Sequence, residues 1–271
     1  MKRKMFLFLS IIAIGIMPVF SQNQLQIADV EIVNLGDGQR YVHKRDEAKT
    51  PVNGKVRFIT GMTTEYIDTE LKDGYVDGKW DYYERNVLKE STSFKNGYVD
   101  GEYAENFRSG DVKFKGHFAK GEKHGSWEEF NIDGDRKVME IYDGGRMTKK
   151  VTYYLNGNVD AERNYQNGRE HGVAKRYTLD GKMKSEQNYV NGKRVGKQVV
   201  HYSSNQEDYI QTSYYNENGK LDGDFSEIYV KNNNVKSKGK YKNGQKDGKW
   251  ITGYANGMTK EEVYNNGVLV D

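Results

Sequence analysis

Nine times, at an almost fixed interval, the chain repeats one short phrase. An aromatic or apolar residue leads into a turn ending in Gly; three residues follow, then usually a second Gly, and often an aromatic. Two clear copies are Tyr241-Lys-Asn-Gly244-Gln-Lys-Asp-Gly248-Lys-Trp250 and Phe118-Ala-Lys-Gly121-Glu-Lys-His-Gly125-Ser-Trp127. The first Gly of each copy stands at 74, 97, 121, 145, 168, 192, 219, 244 and 267, so most steps are 23 or 24 residues. A period of that length marks a repeat architecture, in which each unit can bury its apolar surface only against its neighbours.

Between turns the residues alternate with period two, the signature of a strand. Val112, Phe114, Gly116 and Phe118 fall on one face, as do Val235, Ser237, Gly239 and Tyr241. Turn chemistry stands at both strand ends: Asn96-Gly97, Asn167-Gly168, Asn191-Gly192 and Asn243-Gly244 at one, Ser109-Gly110, Asp133-Gly134, Asn156-Gly157, Asp180-Gly181 and Asn256-Gly257 at the other. Asn-Gly and Asp-Gly reach positive φ at little cost and close hairpins. No unit carries the i, i+3, i+4 spacing of a helix. The expected fold is therefore all-β: an elongated, single-layer antiparallel β-meander of about nine tandem β-hairpin repeats. With strands of about 6–8 residues and loops of about 4, it would have some 17–18 strands and, before twist, span ~85 Å.

The phrase Tyr-x-Asn-Gly-x-x-x-Gly-x-Trp at 241–250, with close copies at 94–103, 118–127 and 165–174, resembles the MORN repeat in the variant found in many bacterial proteins. The resemblance covers roughly residues 50–271. It departs at Lys149, which replaces the second Gly of unit four, at Gln198, which replaces the aromatic of unit six, and at an insertion around 203–208. Some bacterial proteins with this repeat, the YwqK-like group, are named as antitoxins. The resemblance therefore implies a meandering sheet and, as one function, the binding and neutralising of a partner toxin.

The start of the chain is a different kind of sequence. Lys2, Arg3 and Lys4 precede an apolar run from Met5 to Phe20, and Val19 and Ser21 suit a cleavage before Gln22. Residues 1–21 read as a secretory signal peptide, which predicts a periplasmic, cell-envelope or secreted protein. Residues 22–49 lack the phrase; Leu25, Ile27, Val30, Ile32 and Val33, with a turn at Gly36-Asp37-Gly38, predict one or two strands capping the open sheet edge. Residues 50–271 form the repeat domain. Without residues 1–21 the chain holds 39 basic and 39 acidic residues, which argues against nucleic acid and anionic lipid as partners. There is no Cys, hence no disulfide and no thiol chemistry. Mean hydropathy is −0.93 while Tyr numbers 21, so burial is expected to come mainly from aromatic rings.

No catalytic motif is visible, and no catalytic, cofactor-binding or metal-binding residue is assigned. His124 and His171 share one place in the phrase but lie two units, about 19 Å, apart, so they are read as turn residues; His43, His117 and His201 show no site spacing. Asp77, Asp100, Asp222 and Asp247 also align, but adjacent copies stand ~10 Å apart, too far to share a calcium ion, which needs several oxygens at once. They too are read as turn residues. Trp80, Tyr103, Trp127, Phe225 and Trp250 recur at one position. Buried, they form the core; exposed, they would offer a platform to a protein or a glycan. The expectation is a non-enzymatic exported binding module or scaffold whose partner is another protein, with an antitoxin or immunity role as the alternative. Its specificity is expected where the phrase fails, at Lys149, Gln198 and 203–208.

Overall fold

The computed structural model describes residues 23–35, 38–61, 63–254 and 256–270. The leader 1–21 and Gly36-Asp37 of the expected turn lie outside them. Among the described residues, 22 strand segments form one open sheet. From Gly54 onward each strand pairs antiparallel with the next in sequence, ending at Val268–Leu269. The all-β meander of hairpins is thus the observed fold. Segment number exceeds the expectation because strands are interrupted at His171 and Val195, and because Asn23–Gln26 and Gly54–Ile59 add to one end.

The capping segment does more than expected. Asn23–Gln26 runs parallel along Gly54–Ile59 as the edge strand. A separate hairpin, Val30–Leu35 with Gly38–His43, folds over the first strands. Tyr41 stacks on Phe58 with centroids 5.8 Å apart and meets Trp80 at 5.6 Å. Val30, Tyr41, Val52, Val56, Phe58, Ile67, Leu71 and Val76 form the buried cluster there. This end is two layers thick and largely aliphatic, so the expectation of one layer held by rings applies only beyond it.

The two glycines of the phrase do different work. The first closes a two-residue hairpin with positive φ at both positions, as in Asn96 (50°) and Gly97 (80°), the turn whose twist matches that of paired strands. The second lies inside the outgoing strand. At Gly101, φ is 118°; Thr92 faces Tyr103 while Phe94 faces Val99, so two extra residues bulge from the outgoing strand. A Cβ at Gly101 would stand 2.8 Å from that of Ser93. The same two-residue excess recurs in units one, three, five, six, seven and eight.

Unit four shows why the glycine matters. With Lys149 in its place, Ile141 faces Lys149 and Tyr142 faces Met147, leaving one extra residue only. An odd insertion exchanges the faces of the strand. Lys150 therefore sits opposite Glu140 on the ring-bearing face, and the two bond at 2.8 Å. Val151, which holds the ring position by count, turns to the other face and is buried.

Successive units are joined along the turn edge. The N–H of Gly97, Gly121, Gly244 and Gly267 donates to the carbonyl of Val76, Val99, Leu221 and Lys246 at 2.7–2.8 Å. Each acceptor lies in the preceding unit. The aligned aspartates make a second link. Asp77 accepts the N–H of Asn96 at 3.1 Å, Asp100 that of Lys120 at 3.3 Å, Asp222 that of Asn243 at 3.0 Å, and Asp247 that of Asn266 at 3.3 Å. Asp77, Asp100 and Asp247 are strand residues and Asp222 immediately precedes a strand; all four fasten the next unit's turn, which corrects their reading as turn residues.

Candidate functional site

One face of the sheet carries a central column, formed in most units by the ring position and the residue eleven places before it, by Lys150 in unit four, and in unit seven by Phe225 and Ser213, twelve places before it. In the flanking units the column is aromatic. Trp127 lies flat over Gly116 and Trp250 over Gly239: a Cβ at either glycine would meet the indole at 2.2–2.3 Å. Trp127 is 2 % exposed and Trp250 1 %. Tyr103, Phe114 and Phe118 pack around Trp127, and Phe225 and Tyr241 around Trp250. Lys123 covers the first group, 4.3 Å from the Trp127 ring, and Lys246 the second, 4.4 Å from Trp250. Such ammonium–ring contacts add to the packing of rings that are already desolvated. The indoles are therefore core, and no open aromatic platform exists at them.

Each indole also makes one hydrogen bond. Trp127 Nε1 donates to the carbonyl of His117 at 3.1 Å, and Trp250 Nε1 to that of Lys240 at 3.0 Å, ten residues back in both cases. Gln198 copies it. Its Nε2 donates to the carbonyl of Asn188, again ten residues back, at 3.1 Å, and to that of Val195 at 2.7 Å. Its Oε1 accepts the Asn188 N–H at 3.2 Å. At 2 % exposure the amide is buried with its bonds made, which keeps the cost of burying it low. Gln198 is thus a structural stand-in for the ring rather than an exposed specificity residue.

What the amide cannot replace is volume. Around it the column continues as Ala174, Gln187 and Ser213, with no ring. A hollow of about 180 Å³ opens there, lined by Arg176, Lys184, Ser185, Gln187, Arg194, Gln211 and their neighbours. Among the described residues Arg176, Lys184 and Arg194 join no ion pair, and no Asp or Glu lines the hollow. Hydrogen bonds to Tyr189, and then Tyr215, raise the pKa of the Arg194 guanidinium. Tyr189 Oη in turn donates to Gln187 Oε1 at 3.2 Å. Sequence reasoning missed this group because its members are scattered over four strands and no motif unites them.

The opposite face carries paired charges, such as Lys115–Glu128 at 3.2 Å and Lys249–Glu261 at 2.8 Å. Hollows of about 490 and 520 Å³ lie beneath Gly116 and Gly239 at equivalent places in the repeat.

The far turns carry a further departure. Ile132, Leu155 and Leu179 hold the same place in three successive turns and are 61 %, 78 % and 58 % exposed. Arg108 and Glu217 hold it elsewhere. Asn156 Nδ2 donates to the Leu179 carbonyl at 2.9 Å and Tyr154 Oη to that of Tyr177 at 2.9 Å, so these turns are tied side by side.

The histidines stay apart. His124 stands 4.0 Å from Asp143, and His201 bonds Asp208 across the hairpin that holds the 203–208 insertion. Half-buried His171 has a buried Nδ1 without a hydrogen-bond partner. Among the described residues no three His, Asp or Glu gather around one point. No helix among them is long and apolar enough to cross a membrane. Comparison with protein families finds no matching family, and comparison with curated proteins finds no match.

Proposed function

We propose that this chain is an exported, non-enzymatic binding module of the bacterial MORN-like type, whose partner is another protein. The observation that carries this reading is the row Ile132, Leu155 and Leu179. Three aliphatic side chains at equivalent turn positions, about two strand spacings apart, stand in water beside otherwise polar turns. Clustered exposed apolar surface of this kind marks contact sites. The row is held on hydrogen-bonded turns and needs no reordering to be bound, which lowers the entropic cost of association.

The test is a complex rebuilt from purified components. A partner captured by the full chain from envelope extracts should rebind the purified chain, and Leu155→Asp with Leu179→Asp should abolish binding while far-UV circular dichroism stays unchanged. Binding that survives both substitutions would overturn the reading. Neutralisation of a toxin is a special case of it. There, loss of this gene alone should arrest growth, and loss of the partner gene as well should restore it.

A further inference from the structure

We propose that the hollow beside Gln198 is an oxyanion subsite that takes the carboxylates of an acidic segment of the partner protein. The proposal rests on the binding-module reading and names the chemistry of its partner. The lining supplies three cations, Arg176, Lys184 and Arg194, and no acid. Some neighbouring cations of this sheet are matched within it, as in Lys149–Glu162 and Lys150–Glu140, both at 2.8 Å, whereas the three of the hollow are gathered together without an acid. A pocket that gathers positive groups without counter-charge is complementary to an anion and repels metal ions and cationic ligands.

The site is also shaped for hydrogen bonding. Tyr215 lines the hollow beside Arg194, and Tyr189 pairs with Arg194 across the strand. Gln187 uses its Oε1 on Tyr189, which leaves its NH₂ to donate. The Ser185 and Ser213 hydroxyls and the Gln211 amide complete a set of neutral donors around the cations. Guanidinium groups match carboxylate geometry with two parallel bonds.

Two observations favour a protein segment over a polyanion. The formal charge balance of residues 22–271, 39 basic against 39 acidic, provides no extended positive field for a nucleic acid or an anionic bilayer. Met183 and Leu179, in the hairpin that supplies Arg176 and Lys184, are 49 % and 58 % exposed. Carboxylates beside aliphatic side chains fit that surface.

The experiment titrates the full chain with a synthetic peptide of alternating Glu and Leu, with the same peptide carrying Gln for Glu, with trigalacturonate and with inorganic phosphate. The acidic peptide should bind, more weakly as salt is raised, and the Gln peptide at least about tenfold more weakly. Arg176→Gln and Arg194→Gln should each weaken the acidic peptide by about tenfold, the loss of one charge-assisted hydrogen bond, and Lys238→Gln on the opposite face should leave it unchanged. No binding, equal binding of the two peptides, or indifference to Arg176→Gln and Arg194→Gln would overturn the proposal. Binding confined to trigalacturonate or phosphate would overturn the assignment to a protein segment. A partner complex that is lost with Leu155→Asp but survives Arg176→Gln/Arg194→Gln would leave the module reading standing while the subsite fails.

Discussion

The flanks and the centre of the sheet are built from the same phrase and reach different ends. Around Trp127 and Trp250 the column is filled by rings lying on glycine, capped by Lys123 and Lys246. Around Gln198 the same inter-strand hydrogen bond is kept by an amide, and the missing ring leaves a polar hollow with three unmatched cations. The repeat therefore separates two tasks. Backbone links between turns join most units, whereas the ring position either packs a ring or leaves a polar hollow. Unit four, where Lys149 halves the bulge and Lys150 reaches the ring-bearing face, marks the change from one regime to the other.

The largest expected contrast is between the two kinds of column residue. Trp250→Ala removes a fully buried ring and should cost about 3–5 kcal/mol, read by urea denaturation with far-UV circular dichroism. Gln198→Ala removes little apolar area but leaves the Asn188 N–H and two carbonyls unpaired, and should cost about 1–3 kcal/mol. Equal costs would erase the distinction between flank and centre. Next comes Gly239→Ala. Its Cβ would stand 2.3 Å from Trp250, and overpacking of this kind costs about 1–3 kcal/mol; a neutral result would mean that the indole does not lie on the glycine.

A smaller effect concerns what both regions share. Asp77→Ala frees the Asn96 N–H of the following turn and should cost about 1 kcal/mol, with Asp77→Asn retaining most of the stability. The smallest effect is a titration. Burial, and then the hydrogen bond to Glu140, push the Tyr142 phenol from 10.0 up to about 12. A raised folded-state pKa gives stability that is fully present below the unfolded value and lost as pH rises through the folded one, here between 10.0 and about 12. Burial also raises other phenols, such as Tyr41, Tyr103 and Tyr241, so phenolate absorbance should show a late component that loses one tyrosine in Tyr142→Phe. If that component is undiminished, Tyr142 is not part of it.

Much of this was legible in the order of residues. The period, the Asn-Gly hairpins and the shared face of Phe114, Gly116 and Phe118 follow from local chemistry, and the sheet has them. The bulge at the second glycine was hidden because its excess is two residues. An even insertion leaves the period-two alternation in phase, so Val99 and Tyr103 still share a face and nothing in the pattern marks the extra loop. The aspartate links were hidden because Asp77 and Asn96 are 19 residues apart and meet only once neighbouring turns stand side by side. Gln198 looked like a failure of the phrase because hydropathy separates Gln from Trp, although both place an N–H donor where the backbone carbonyl needs one. The aliphatic layer over the first strands escaped because Tyr41 and Val30 belong to no repeat.

The central claim is that in units three and eight ring and glycine form a pair, separated by eleven residues, and that the centre lacks it. Rebuilding it is the direct measurement. Gln187 stands where Gly116 and Gly239 stand in the flanks, so a double-mutant cycle of Gln187→Gly and Gln198→Trp places a ring over a glycine in the middle of the sheet. Urea denaturation of the four proteins should give a favourable coupling of about 1–3 kcal/mol, beyond the ~0.5 kcal/mol scatter of independent sites. Two effects that simply add would contradict the account.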